Sequence, residues 1–211
     1  MTEPFLRALF HRLAIHKCYP KFQYERRIDA FLSFFIADLL GVRADLFIPE
    51  FPVRAHDERR LCTNVDYLIW DESRAEVLLV ELKTDKGSVD ADQLAQYHYA
   101  LQVPWEQLLA DVRWLREGSP HASKYDLLLG DLGKVSPNHV RKGIYLAPSA
   151  ARSDFDQKRK AAAELRPEYG SVANRWTFHA LEDLAVRQIG TEYAAEWDEL
   201  RQHLLREMVA T

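Results

Sequence analysis

The sequence predicts an α/β protein built on one mixed β-sheet, and three observations carry that prediction. Apolar residues recur at three- and four-residue steps over 24–40, which is typical of a helix packed on a core. Three runs rich in β-forming residues follow closely, at 45–53, 62–70 and 76–83. A further short run, 143–148, comes after a long helical stretch. This order of elements favours a mixed sheet flanked by helices.

The first half of the chain has clear start and stop signals for its elements. Helical spacing predicts a helix over 3–16 and another over 24–40, which Gly41 ends as a helix-terminating glycine. Pro49 and Pro52 cannot donate to a β-ladder, so the first strand should lie at a sheet edge or be interrupted. Short connections between the three β-rich runs predict an antiparallel meander.

The second half continues the mixed pattern. Asp90 is a plausible N-cap for a helix that runs to about Gln102. The pattern then predicts one or two helices within 104–132, a strand at 143–148, a charged helix near 152–166, a strand around 175–179, and helices at 181–188 and 192–209. We expect a single domain over 1–211, with a core at about 22–148, a helical insertion at about 104–132 and an α/β extension at 149–211.

Composition restricts the class of protein. With 211 residues, 47% of them hydrophobic, the chain can bury a core without disulfides or metals to hold it. Two cysteines, Cys18 and Cys62, are too few for a disulfide framework, and no charged-then-apolar leader opens the sequence, so we expect a cytoplasmic protein. The longest apolar run, 31–42, is shorter than the roughly 20 residues of a membrane-spanning helix.

The net charge of −4 hides one basic segment. Residues 134–166 contain eight basic and three acidic side chains. Such a segment beside an acidic metal centre would suit a phosphodiester substrate, and Lys158, Arg159 and Lys160 are its candidate nucleic-acid contacts. A solvated helix face explains the composition equally well.

The most informative pattern joins an acidic residue in one strand to a Glu-x-Lys at the end of the next. Asp66 lies in the run 62–70, and Glu81 and Lys83 lie in the run 76–83. Because strand side chains alternate, Glu81 and Lys83 should point to the same side. Charges in such an apolar strand are costly to bury unless they are paired or bind a metal. We therefore expect Asp66 and Glu81 to ligate Mg²⁺ (or Mn²⁺), with Lys83 acting on the attacking water.

Other metal and nucleotide chemistries are disfavoured. His11, His16 and Cys18 lie close in sequence but lack a second ligand pair at a zinc-site spacing. The glycines are scattered, so no phosphate-binding loop is formed. Glu50 is a further carboxylate that either approaches the metal or, as we prefer, lies exposed on the proline-flanked strand.

Taken together, these elements resemble the PD-(D/E)XK, restriction-endonuclease-like nuclease superfamily. The resemblance covers roughly residues 22–148 and includes Glu25 in the helix YERRIDAFL, Asp66, and the Glu81-Leu82-Lys83 strand end. Gln93-x-x-x-Tyr97 is similar to the motif of nuclease domains in bacterial recombination helicase-nucleases. The nominal Pro-Asp is Val-Asp here, and the helicase is absent. The resemblance implies a core of helix, three strands, helix and strand.

The resemblance also implies roles for individual residues. Asp66, Glu81 and the Leu82 carbonyl would bind metal, with Glu25 as an outer or second-metal ligand, while Lys83 would act on the water. Gln93 and Tyr97 would touch the DNA backbone or support the Lys83 side of the pocket. Each has an alternative: Gln93 closes the Asp90 cap, and Tyr97 belongs to the core beside Leu94 and Leu101.

The expected function is a metal-dependent nuclease that hydrolyses DNA phosphodiesters by in-line attack of a metal-activated water. The alternative is a restriction-like fold that binds nucleic acid or a protein without cutting. The sequence separates neither DNA from RNA nor endonuclease from exonuclease action. It also leaves open a homodimer or a larger nuclease complex, and no membrane partner is expected.

Overall fold

The structure, a computed structural model, describes residues 3–16, 24–55, 62–84, 90–187, 189 and 193–209. Its helices are α1 Glu3–His16, α2 Tyr24–Leu32, α3 Ile36–Leu40, α4 Ala91–Gln102, α5 Trp105–Glu117, α6 Ala122–Leu132, α7 Arg152–Leu165, α8 Leu181–Ala185 and α9 Ala194–Val209. Its strands are β1 Leu46–Arg54, β2 Cys62–Asp71, β3 Glu76–Leu82, β4 Val140–Ala147 and β5 Trp176–Ala180. Short 3₁₀ segments at Ser149–Ala151 and Pro167–Arg175 flank α7.

Within the described residues these five strands form one open, mixed sheet in the order β1-β2-β3-β4-β5. β1, β2 and β3 pair antiparallel, as the short connections predict. β4 pairs parallel with β3, and β5 parallel with β4, each after a helical crossover. The prolines of β1 lie at the edge of the sheet, which confirms the expectation drawn from their missing N–H groups.

Two apolar cores cover the two faces of the sheet. Because strand side chains alternate, Leu79 packs into one core with α4, α5 and α7, and its neighbours Leu78 and Val80 pack into the other with α1, α2, α3 and α9. The sheet is therefore enclosed by helices on both sides, which confirms the α/β class. No helix among the described residues is long and apolar enough to span a membrane.

The predicted helix over 24–40 is interrupted. α2 ends at Leu32, a turn occupies 33–35, and α3 begins at Ile36. The Ser33 hydroxyl donates to the Ala30 carbonyl at 3.0 Å and so competes with the helical hydrogen bonds of the backbone. The apolar positions still reach the core, because the turn keeps Phe35 and Ile36 buried while Phe34 is exposed.

Two predicted helix boundaries are confirmed, and so is the helical content of 104–132. Gly41 ends α3 with φ of 65°, in the left-handed region that favours glycine. Asp90 caps α4, its carboxylate accepting from the backbone N–H groups of Asp92 and Gln93. The stretch 104–132 contains two helices, α5 and α6.

Strand alternation breaks in β1 and β2 at the same level. Ile48 and Phe51 share one core although they are three positions apart, an odd number, and so do Val65 and Leu68 on β2. Glu50, between the β1 pair, has φ of 51°, a conformation that costs free energy for a residue other than glycine. This distortion lies beside Asp66, because the neighbours of Glu50 pair with the neighbours of Asp66.

Candidate active site

A polar pocket of about 350 Å³ opens where β2 and β3 separate and α4 begins. It is lined by Asp29, Glu50, Cys62, Thr63, Asn64, Asp66, Glu81, Lys83 and Gln93. The sequence-predicted trio of Asp66, Glu81 and Lys83 therefore comes together in one pocket, and Gln93 joins it. Cys62 is an exposed free thiol at its margin, whereas Cys18 lies outside the described residues.

Asp66 lies where the pairing between β2 and β3 ends. The last paired residues are Tyr67 and Val80, and the next donor on β3, the Leu82 N–H, donates to Asp66 Oδ2 at 2.6 Å. The carboxylate thus takes the place of a backbone acceptor. In an extended strand the N–H and C=O of one residue point to the same side, so strand geometry directs the Leu82 carbonyl to the β2 side of β3 as well.

Glu81 and Lys83 form a buried ion pair at the end of β3. Their side chains share one face, as the strand period predicts, and Lys83 Nζ lies 2.7 Å from Glu81 Oε1. Glu81 is 1% exposed and Lys83 is 8% exposed. Removing two charges from water costs several kcal/mol for each ion, so such a pair is weak evidence of a purely stabilising role.

Tyr97, on α4, approaches Glu81 from the opposite side to Lys83. Its hydroxyl lies 2.8 Å from Glu81 Oε2 and 2.7 Å from the Asn64 carbonyl oxygen, two acceptors that share its single proton, and Gln93 Nε2 donates to it at 2.6 Å. Burial, followed by the negative charge of Glu81, holds the pKa of Tyr97 well above its usual value. Tyr97 therefore acts as a neutral donor that orients the carboxylate.

The two alternatives for Gln93 and Tyr97 prove compatible with contact to the site. The Gln93 backbone serves the Asp90 cap while its side chain reaches the Tyr97 hydroxyl. Tyr97 is fully buried in the same core as Leu94 and Leu101, and only its hydroxyl reaches Glu81.

The helix α2 contributes Asp29 to the pocket. Glu25 lies in the first turn of α2, and its side chain is outside the described part of the chain. Asp29, one turn later, lines the pocket, and its backbone carbonyl accepts from the Tyr67 hydroxyl at 3.3 Å. This bond ties α2 to β2 beside Asp66.

Sequence reasoning missed Thr63 and Asn64 and undervalued Glu50. Glu50 is exposed, as preferred, yet it also lines the pocket, where Asn64 Nδ2 donates to its Oε2 at 3.0 Å. In the antiparallel register Glu50 stands opposite Asp66. The available signal was the strand period, since Asn64 precedes Asp66 by two residues and so favours the same face.

The basic segment 134–166 lies mostly outside this pocket. Several of its side chains make contacts within the fold. Arg141 donates to the carbonyls of Ala100 and Val103, and Arg159 donates to the Ala173 carbonyl. Lys142 pairs with Glu76, and Lys134 pairs with Asp131.

The three predicted nucleic-acid contacts, Lys158, Arg159 and Lys160, are not among the residues that line the pocket. Lys160 instead lines a shallow depression on α7 beside Arg152, Asp156 and Glu164. Arg159 points inward, which leaves Lys158 and Lys160 as the available contacts of the predicted three.

The donor set suits a hard cation. Asp66, Glu81 and the Leu82 carbonyl offer only oxygen atoms, which Mg²⁺ prefers, and Mg²⁺ commonly uses one or two carboxylates and keeps several waters. Among the described residues, no group of three or more His, Cys, Asp or Glu side chains is arranged to hold a metal ion. A cation here would therefore rely on the two carboxylates, the backbone oxygen and water.

The chain was compared with family models, curated proteins and solved structures. No protein-family model, no curated protein and no solved structure matches the chain.

Proposed function

We propose that this protein is a metal-dependent nuclease that hydrolyses phosphodiester bonds of DNA, with a restriction-endonuclease-like core. The observation that carries the proposal is the buried Glu81 carboxylate, held between Lys83 and Tyr97 in the pocket that also contains Asp66. A strand end that merely emerged into solvent would not bury a Glu-Lys pair of this kind.

The order of elements supports the same proposal. α2, β1, β2, β3, α4 and β4 follow the helix, three strands, helix and strand that the family resemblance implies. In this interpretation α5 and α6 are the insertion before the last core strand, and the chain beyond β4 is an extension that adds β5 to the sheet.

Each residue then has a defined task. Asp66, Glu81 and the Leu82 carbonyl would hold Mg²⁺ or Mn²⁺, with Glu25 as the candidate further ligand. When bound, the metal supplies positive charge to the phosphate and makes water easier to ionise. Lys83 would stabilise the charge that develops on the phosphate oxygens or orient the attacking water. Tyr97 and Gln93 would fix the direction of the Glu81 carboxylate.

The reaction itself is a simple exchange of bonds. The water oxygen bonds to phosphorus while the bond from phosphorus to the leaving sugar oxygen breaks. One proton of the water is lost, and the leaving oxygen gains a proton from solvent. The two groups are in line at phosphorus, so the protein contributes mainly position and charge.

The test is incubation of the purified protein with single-stranded, duplex and branched DNA, and with RNA, in Mg²⁺, Mn²⁺ or EDTA. Cleavage that needs the cation supports the proposal, and the substrate arms separate DNA from RNA and end-directed from internal cutting. Binding that is equal with and without Mg²⁺, with no new ends, would instead favour the non-catalytic binding module.

Asp66→Asn is the decisive variant, because the amide oxygen can still accept from Leu82 while the charge is lost. We expect no detectable cleavage. Asp45→Asn is the matched control, since Asp45 also accepts a backbone N–H, that of Glu72 at 2.9 Å, but lies outside the pocket. Lys83→Ala should lower turnover by a factor on the order of 10², as loss of a positioned charged group does. If wild type and both site variants cut equally, the nuclease assignment is wrong.

A further inference from the structure

Both oxygens of the Glu81 carboxylate are engaged by donors of the protein itself. Oε1 lies 2.7 Å from Lys83 Nζ, and Oε2 accepts from the Tyr97 hydroxyl at 2.8 Å. The side chain is 2% exposed, so water contributes little to its environment. A divalent cation that binds Glu81 must therefore share this carboxylate with a donor or displace one.

The two donors differ in how they would respond to a cation. A carboxylate oxygen has two lone pairs, so a neutral hydroxyl and a cation can bind the same group. A dication at about 2.1 Å from Oε1 would lie within about 5 Å of the ammonium, and like charges at that separation repel strongly where little water screens them. A bound dication would therefore repel the Lys83 ammonium but not the neutral Tyr97 hydroxyl.

The two donors also differ in mobility. Tyr97 is fully buried, stacks on Trp176 with ring centroids 5.9 Å apart, and is fixed at its hydroxyl by Gln93 and the Asn64 carbonyl. Lys83 follows the last residue of β3, lines the pocket, and carries its charge on a flexible four-carbon chain. Lys83 is thus the donor that can move.

We infer that, without a divalent cation, the Lys83 ammonium occupies the position on Glu81 that the cation takes when it binds. When the cation binds, the ammonium leaves that carboxylate. The inference rests on the proposed function and adds a regulatory step to it. The ammonium remains in the pocket after the exchange, where it can meet a phosphate oxygen or the attacking water. Lys83 therefore enters its catalytic position only in the metal-loaded protein, and the protein is protected against an unpaired buried Glu81 when metal is absent.

The experiment is calorimetric titration with Mn²⁺ in the absence of DNA. Lys83→Met removes the ammonium but keeps the length of the side chain, and we expect Mn²⁺ to bind about tenfold more tightly or better. Lys142→Met is the matched control, because Lys142 pairs with Glu76 at the other end of β3, away from the pocket. Its Mn²⁺ affinity should equal that of wild type.

The outcomes separate this inference from the proposed function. Equal or weaker Mn²⁺ binding by Lys83→Met overturns the exchange, and the nuclease proposal stands if Asp66→Asn still binds Mn²⁺ more weakly than wild type. If Asp66→Asn also binds like wild type, the metal site itself is wrong, and both proposals fall.

A second measurement uses the wild-type chain and so does not depend on the folding of Lys83→Met. Amine modification read by mass spectrometry should label Lys83 faster once Mn²⁺ is added, because its ammonium has left Glu81. Labelling of Lys142 should not change. An unchanged rate at Lys83 under saturating Mn²⁺ contradicts the exchange.

Discussion

The Tyr97 hydroxyl of α4 donates to Glu81 Oε2 of β3 at 2.8 Å, and each of these two residues is at most 1% exposed. A helix of the apolar core thereby sets the orientation of a charged group in the pocket. Tyr97→Phe removes only this hydroxyl. We expect turnover to fall about tenfold to a hundredfold, because the carboxylate loses a donor, while affinity for substrate changes little.

Tyr99→Phe provides the matched control for that variant. Tyr99 is buried in the same helix, and its hydroxyl donates to Asp111 instead of to a pocket residue. Both variants should lose a similar amount of stability, about 1–3 kcal/mol each, since each leaves a buried acceptor without its donor. Only Tyr97→Phe should lose activity. Equal activity in the two variants would mean that the Tyr97 hydroxyl serves the fold alone.

Contact with a nucleic-acid backbone should depend on Lys158 and Lys160. Replacing both with Ala should flatten the salt dependence of DNA binding by up to about 0.9 log unit for each lost phosphate contact. Arg113→Ala with Lys124→Ala removes the same charge from the exposed surface of α5 and α6, and should leave the slope unchanged. Binding measured over a range of salt concentrations decides between them. If the salt dependence of binding is equal in all three proteins, the basic residues of α7 form an ordinary solvated helix face.

Gly143 should be intolerant of any side chain. A Cβ atom there would lie 2.3 Å from Trp176 Cδ2, so the indole would have to shift from its buried position. Gly143→Ala should lower the free energy of unfolding by about 1–3 kcal/mol, as overpacking does. Activity should fall too, because Trp176 stacks on Tyr97.

Gly130→Ala is the control for that substitution. Gly130 lies in α6, and a Cβ there meets nothing within 4 Å. Because alanine favours a helix more than glycine does, the free energy of unfolding of this variant should rise by up to about 1 kcal/mol. Urea unfolding of both variants gives the comparison, and a Gly143→Ala protein as stable as wild type would contradict the packing described here.

Stability should decrease in mild acid through His98. This residue is fully buried in α4, and its two ring nitrogens have no hydrogen-bond partner among the described residues. Burial, with the charge of Arg159 second, lowers its pKa from 6.5 to about 4. The unfolded chain therefore takes up a proton below about pH 6.5, while the folded protein does so only near pH 4. The stabilisation is present above this window and is lost as the pH falls through it.

The size of this effect follows from the shift in the pKa. It amounts to at most about 3 kcal/mol between the two limits. Urea unfolding at about pH 7 and about pH 5 should show a smaller loss for His98→Leu than for wild type, since the variant cannot take up that proton. An identical loss in both proteins would assign the acid sensitivity to other groups.

The sequence predicted correctly those features that depend on residues only a few positions apart. The alternation of Glu81 and Lys83, the glycine after Leu40 and the aspartate before Ala91 each act over a few residues, and the structure places them as expected. The break after Leu32 was not predicted, because the apolar spacing continues unbroken across it, and the turn is marked by the backbone bonds of Phe34 and Phe35 to residues three back.

The remaining parts of the site depend on strand register, which one sequence does not reveal. Asn64 and Glu50 meet only because β1 and β2 pair with Pro52 opposite Asn64. The bond from Leu82 to Asp66 likewise requires that the β2–β3 pairing stop at Tyr67. Strand periodicity predicted that Asp66 and Glu81 converge, and Pro49 and Pro52 predicted an edge or interrupted strand, but the positive φ at Glu50 was not predicted.

The end of the β2–β3 pairing has a consequence for how the site could change. On the N-terminal side of Tyr67, β2 pairs within the described residues with β1 alone, so the described part of the pocket is a gap between diverging strands. The two carboxylates belong to the sheet, and the exposed residues Cys62 and Asn64 line the same pocket. Substitutions of those exposed side chains could alter which molecules enter while Asp66 and Glu81 keep their positions. Selectivity and chemistry can therefore be varied separately in this architecture.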